Sequence, residues 1–384
     1  MDGKKYYYMF AALCLALLVA IAVAYRVRGA EQRRAGAPNA TSPAPPKVPT
    51  VGWAEFIAAV SQIKKGQRVL VEDSLRALVP PGAIAERFAD HLTFPHPWVI
   101  PDRRSNPAEA DYILSHDVFD LRSMLFGPSP LWEIVAAYQG STPPYAYLAR
   151  RKAPIERQLL PELSDEALHR GLREMVKIDW GKTPGDDHHG HQHFYLDRYA
   201  VTHELFARFL NDLGISPEEL HVYYSIKDPT SRVVYYRNRY LVYRGSERLP
   251  IYNVSWYGAT AFCEYYGQRL ATIQEWAKAS GYTDDVRKYP WGNQTDFANR
   301  ANFRGDADGY AFWAPVDAFP LGVSRYGLYN MAGNVAEWTE PGYVVGGGFE
   351  LGPEAGLNSE KDTNYALARN LHDGFRCAAD EAPR

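Results

Sequence analysis

The densest set of metal-binding groups in the chain is Asp186-Asp-His-His-Gly-His-Gln-His193. Four imidazoles (His188, His189, His191, His193) and two carboxylates (Asp186, Asp187) in so short a run could hold zinc, copper or nickel, for which neutral imidazole is the commonest ligand. The long-range ligand pairs of a structural zinc site are missing, and a solvated turn that keeps one structural His is the competing reading. Elsewhere the candidate acids Glu72, Asp73, Asp102 and Asp111 have no spacing that marks a reaction, and no Gly-rich phosphate loop accompanies them. Thiol chemistry is limited to Cys14, Cys263 and Cys377.

Such groups need rigid elements to position them, and the stretch from Tyr252 to Trp276 supplies the clearest ones. Ile251, Asn253 and Val254 read as a short strand; from Tyr257, apolar residues recur at helical spacing through Ala261, Phe262, Tyr265 and Tyr266. Gly267 ends that helix where a residue with positive φ is wanted. Thr272 followed by Glu275 has the form of a capping box, which predicts a second helix opening near Trp276.

These residues resemble the formylglycine-generating enzyme (sulfatase-modifying factor) family. Phe194 to Gly214 looks like its opening strand and helix. Tyr289-Pro-Trp-Gly-Asn293, Ala301-Asn-Phe303, Ala314-Pro-Val316, Tyr326-Gly-Leu-Tyr-Asn-Met-Ala-Gly-Asn334, Glu337-Trp338 and Gly374-Phe-Arg-Cys-Ala378 then follow in the family's order. The resemblance implies an α+β, C-type-lectin-like fold and a disulfide between Cys263 and Cys377. It also implies two structural calcium sites, one from Asn302, Phe303, Asp308 and Tyr310, the other from Asn330, Gly333, Val335 and Glu337, all offering the hard oxygen ligands this ion takes. A ligand-binding groove is implied at Trp313, Glu350, Asn364, Tyr365, Arg369, Asn370 and His372.

One departure from the family bears on activity. Formylglycine-generating enzymes hold copper on two cysteines shortly after a Gly-Gly motif; here Gly346-Gly-Gly348 is followed by Phe349-Glu-Leu-Gly-Pro353, with no cysteine between Cys263 and Cys377. Thiolates are the ligands suited to Cu(I), so the family's aerobic oxidation is not expected. The iron-dependent sulfoxide synthases of the same fold are excluded too, because His91, His96 and His116 are scattered in strand-rich sequence. The expected function is therefore binding or scaffolding of a peptide, glycan or envelope protein. Enzymes of different, metal-dependent chemistry and maturation factors for a partner enzyme are the alternatives.

The 384 residues, 46% of them hydrophobic, suffice for more than one domain, and a net charge of −3 gives no electrostatic case for nucleic acid. Tyr6 to Tyr25 is an uncharged run of 20 residues, long enough to span a bilayer; a cleaved signal peptide is the other reading. The organisation expected is a transmembrane anchor (1–30), a Pro/Ala-rich linker (31–50), a small, mostly parallel α/β domain (51–153) and the family-type domain (154–384). Arg26, Arg28, Arg33 and Arg34 after the span argue for a cytoplasmic location. The implied disulfide argues for an extracytoplasmic one, periplasmic or at the cell surface, which is the expectation adopted.

Overall fold

The computed structural model describes residues 50–71, 73–87, 110–115, 132–139, 145–153, 155–160, 174–180, 192–226, 228, 230–285 and 287–382. The anchor, the linker up to residue 49, the strand expected at 98–100 and the run Asp186–His191 lie outside those residues. Among the described residues no helix is long and apolar enough to cross a membrane.

The N-terminal part is a six-stranded sheet of β1 (Thr50–Val51), β2 (Arg68–Val71), β3 (Ile84–Arg87), β4 (Tyr112–Ser115), β5 (Trp132–Gln139) and β6 (Tyr145–Arg151), in the order β1-β5-β6-β4-β2-β3. It is mixed rather than mostly parallel: β1 pairs parallel with β5, and β2 with β3 and β4, but β6 runs antiparallel to both β4 and β5. The physical reason is connection length, since only a few residues join β5 to β6 and a parallel pair needs a crossover of about a dozen or more. The helix expected around Ile84 is corrected likewise, because Ile84 to Arg87 pair in register with Arg68 to Val71.

Alternation along the strands gives this sheet two buried faces. Leu114, Ala136, Ala146 and Leu148 pack with Phe56 and Val60 of α1 (Trp53–Val60). Their neighbours Ile113, Ala137, Tyr147 and Ala149 pack instead with Leu159, Val234, Leu241 and Tyr243 from the C-terminal part. Arg151 sits at this junction, its guanidinium 4.3 Å from the Trp132 ring centroid and bonded to Ala110 O (2.9 Å) and Gln158 Oε1 (2.8 Å). The two parts share a core. Of the expected helical connector, α2 (Ile155–Gln158) is described and residues 161–173 are not.

The C-terminal part contains β7 (Met175–Asp179), β8 (His193–Asp197), α3 (His203–Leu213), β9 (Val233–Tyr236), β10 (Arg239–Val242), α4 (Trp256–Tyr265), β11 (Arg269–Leu270), α5 (Ile273–Ser280) and α6 (Tyr282–Asp285). Strands β12 (Ala336–Thr339), β13 (Tyr343–Val345), β14 (Lys361–Thr363), β15 (Asp373–Gly374) and β16 (Cys377–Ala379) complete it. Besides the β9–β10 hairpin there are two four-stranded sheets, β11-β16-β8-β7 and β14-β13-β12-β15. Thr202, Ser255 and Thr272 each accept a backbone N–H at a helix start, so α3, α4 and α5 are capped by their own sequence. The Thr272–Glu275 capping box forms, and it places the first residue of α5 at Ile273 rather than Trp276. Phe206, Phe209, Phe262 and Phe375 interlock between α3, α4 and the sheets.

Cys263 on α4 and Cys377 on β16 form a disulfide with Cα atoms 5.6 Å apart and 114 residues between them in sequence. Both are fully buried. In the chain-entropy account a loop of this size contributes about 4–5 kcal/mol by restricting the unfolded chain. The double variant Cys263→Ala/Cys377→Ala is therefore expected to lose several kcal/mol in urea unfolding; an unchanged midpoint would exclude that role.

Candidate functional site

Gly346 and Gly347, which follow β13, have φ of 89° and 68°, values that glycine adopts without strain. Gly348 next to them has no room for a side chain, since a Cβ there would lie 2.5 Å from the Cβ of His372. The Gly-rich turn thus presses against His372. His372 Nδ1 lies 2.5 Å from Glu350 Oε1, and its Nε2 is 3.5 Å from Asp373 Oδ1. Asp373 opens β15, whose parallel pairing with β12 buries the carboxylate completely. Its Oδ2 accepts from Asn364 Nδ2 (2.6 Å) and Asn370 Nδ2 (2.7 Å). Arg304 Nε holds the Glu350 carbonyl at 2.7 Å.

The structure therefore brings Glu350, Asn364, Asn370 and His372 together. Tyr365 stands beside them with 84% of its surface exposed, and Arg369 donates to His221 O. Trp313 is corrected: it is fully buried, stacked on Tyr252 at 3.9 Å with Nε1 donating to Leu371 O (2.8 Å). It forms a floor under the loop and presents no face to a ligand. Asp373 and Arg304 were not anticipated. Asp373 is adjacent to His372 in sequence, yet only its pairing in β15 turns it inward.

Burial disfavours charge on His372, but the contact with Glu350 and the charges of Asp373 and Glu350 outweigh it and raise the imidazole to about 9. Burial likewise acts to raise Glu350, and His372 overrides it so that the carboxyl titrates low. For Asp373, burial dominates and its pKa is raised against the pull of His372 and the two asparagines. At neutral pH His372 is an imidazolium. It can donate hydrogen bonds but is already protonated, so it cannot act as a base there.

The residues expected to hold calcium form two adjacent groups. Asn302 is fully buried and donates to Phe312 O (2.6 Å) and Asn334 Oδ1 (3.2 Å), while its Oδ1 has no protein partner. Asp308 accepts from Tyr310 N at 2.9 Å, and burial raises its pKa. Asn330 similarly donates to Val316 O (2.9 Å) with Oδ1 unpartnered. The groups touch through Gly333, where a Cβ would lie 2.3 Å from Asn302 O. Two buried amide oxygens lacking donors suit a hard cation. Glu337 does not. Its carboxylate accepts Nε and Nη2 of Arg376 at 2.6–2.9 Å and Trp276 Nε1 at 2.9 Å, so its lone pairs are already engaged. Copper fits poorly, because Cys263 and Cys377 are joined to each other and no thiolate stands near the Gly-rich turn. Of the His run only His193 is described, on β8 with its ring edge-on to Tyr195.

An α+β domain with a Gly-rich turn beside a carboxylate–histidine cluster is the class these observations define. Residues 168–381 match the sulfatase-modifying factor enzyme 1-like domain, and the chain belongs to this family. It is 27% identical to the serine/threonine-protein kinase Pkn1 of Chlamydia trachomatis serovar L2 over 329 residues, 80% of this chain and 50% of that protein. Against the formylglycine-generating enzyme of Mus musculus, identity is 29% over 260 residues, 50% of this chain and 67% of the enzyme. The inactive C-alpha-formylglycine-generating enzyme 2 of Mus musculus is 41% identical over 107 residues, 26% of this chain and 34% of that protein. The chain thus spans only half the length of the Pkn1 relative.

A His whose pKa is raised on folding adds stability that is complete below its ordinary value of about 6.5 and disappears as pH rises through its folded value. For His372 that window runs from 6.5 to about 9. Glu350→Gln should return the His372 titration, followed by NMR, toward or below the ordinary range and flatten stability across that window. An unchanged titration midpoint would show that Glu350 does not hold the imidazolium.

Proposed function

We propose that this chain is a binding protein of the sulfatase-modifying factor family, using the groove around Glu350, Tyr365 and His372 to hold a peptide segment of a partner. The observation that carries this reading is the state of its cysteines. Cys263 and Cys377 are joined in a buried disulfide and the Gly-rich turn is followed by Phe349, so the thiolate chemistry of a formylglycine oxidase has no residues to perform it. The imidazolium state of His372 favours recognition over proton abstraction. That a relative is named an inactive enzyme is consistent with a family member that has kept the scaffold without the oxidation. Given copper, oxygen and a cysteine-containing sulfatase peptide, the purified chain should yield no aldehyde. Aldehyde formation would overturn the reading.

In this account calcium is the stapling ion, held first by Asn302 Oδ1, Asp308 and the carbonyls of Phe303 and Tyr310, with Asn330 Oδ1 and the backbones of Gly333 and Val335 as the second set. The ion would neutralise Asp308 and satisfy amide oxygens that otherwise lack donors. A disulfide persists in an oxidising compartment, which supports an extracytoplasmic domain on a membrane anchor at Tyr6–Tyr25. Elemental mass spectrometry of the purified chain should find calcium, and Asn302→Ala should release it and lower the unfolding temperature. Stoichiometric zinc, iron or copper would favour metal-dependent chemistry instead.

A further inference from the structure

A cavity of about 360 Å³ lies away from the residues of the His372 cluster, sharing none of them. Its making is local. Ile273 and Ala277 of α5, one helical turn apart, face it with Gln274 and Lys278 beside them. Trp180, Trp276 and Val345 complete an apolar lining. Val345 is also the residue paired with Lys361, so the cavity opens at the end of the β13–β14 ladder, with Ser359, Glu360 and Lys361 on its lip. The volume is within the range of ligand sites.

Three features point to an occupant. Asn358 lines the cavity and is only 4% exposed; its amide nitrogen is bonded to Ser280 O (3.3 Å) and Arg287 O (3.2 Å), leaving Oδ1 without a donor. A backbone N–H of a ligand would supply one. Lys278 and Lys361 face a single acid, Glu360, so the wall carries a net positive charge. Finally, β14 is an edge strand among the described residues, and all three of its residues are exposed. An unpaired edge offers backbone groups to an added strand.

We propose that the cavity and the outer edge of β14 form a docking site for an extended peptide. The peptide adds as a strand to β14, lodges an apolar side chain between Ile273, Ala277 and Val345, and sets an acidic side chain beside Lys361. β14 runs on into Asn364, which holds Asp373. At about 3.3 Å per residue, its three residues put the two ends of the track roughly 10 Å apart. This inference rests on the peptide-binding reading above and names the form of the partner.

The test is selection of displayed random heptapeptides on the full chain and on three folded variants, Ala277→Trp, Lys361→Glu and Tyr365→Ala, each checked by circular dichroism. Ala277 is only partly buried, so a larger side chain fills the cavity from its mouth without entering the core. Peptides enriched on the unaltered chain should carry an apolar–acidic pair and bind at least about tenfold more weakly to Ala277→Trp, as expected when an anchor pocket is filled. Selection on Lys361→Glu should exchange the acidic position for a basic one. If enriched peptides bind Ala277→Trp as well as the unaltered chain but lose affinity on Tyr365→Ala, the cavity proposal fails while the groove reading stands. If nothing is enriched, or neither variant matters, both fail.

Discussion

The buried pair of Arg376 and Glu337 is the interaction on which the C-terminal part depends. Both side chains are 1% exposed. Glu337 belongs to β12 in one sheet, while Arg376 immediately precedes β16 in the other, so their bidentate contact ties the two sheets together. The remaining donors of Arg376 reach Asp197 O and Arg198 O (both 3.1 Å) and Tyr329 O (2.7 Å), and Trp276 closes the carboxylate from α5. A buried pair contributes little over an apolar replacement, but removing one partner strands a charge and costs about 3–5 kcal/mol. Next to it, Asp197 accepts from Cys377 N (2.9 Å), and burial raises its carboxyl to about 8. Low dielectric explains both: charge survives there only where a guanidinium saturates it.

That constraint sets the candidate site. With Glu337 held, β12 can pair with β15, and this places Asp373 in the interior beneath Asn364 and Asn370. The Gly-rich turn closes from the other side because Gly348 has no Cβ to strike His372. The histidine is left between two carboxylates, in an environment that keeps it charged. A scaffold that once could have positioned thiolates here positions a cation and amides, which suits hydrogen bonding to a held segment more than redox chemistry.

The N-terminal sheet is bound into the same body. Its second face is not solvated but covered by the β9–β10 hairpin, and Arg151 is stacked on Trp132 while reaching Gln158. Such a sheet cannot be removed without exposing Trp132, Tyr243 and their neighbours to water. Local period-2 alternation made both faces apolar, and the hairpin satisfies the second.

Local signals in the sequence determined the caps, the helices and much of the family-type scaffold. Thr272 with Glu275, Ser255 before α4 and Gly267 after it act over a few residues, where backbone hydrogen bonding and positive φ leave few alternatives. The absence of cysteine after Gly348 was equally plain, because a missing thiol needs no geometry to interpret. Tertiary structure decided the rest through long-range pairing and burial. Ile84 joined a strand because Arg68 to Val71 offered an edge, Trp313 went under the loop to stack on Tyr252, and Glu337 was claimed by Arg376 from 39 residues away. Asp373 became part of the site only when β15 paired with β12. Side-chain type limits what a residue can do, but burial and charge partners, set by contacts distant in sequence, select which of those roles it takes.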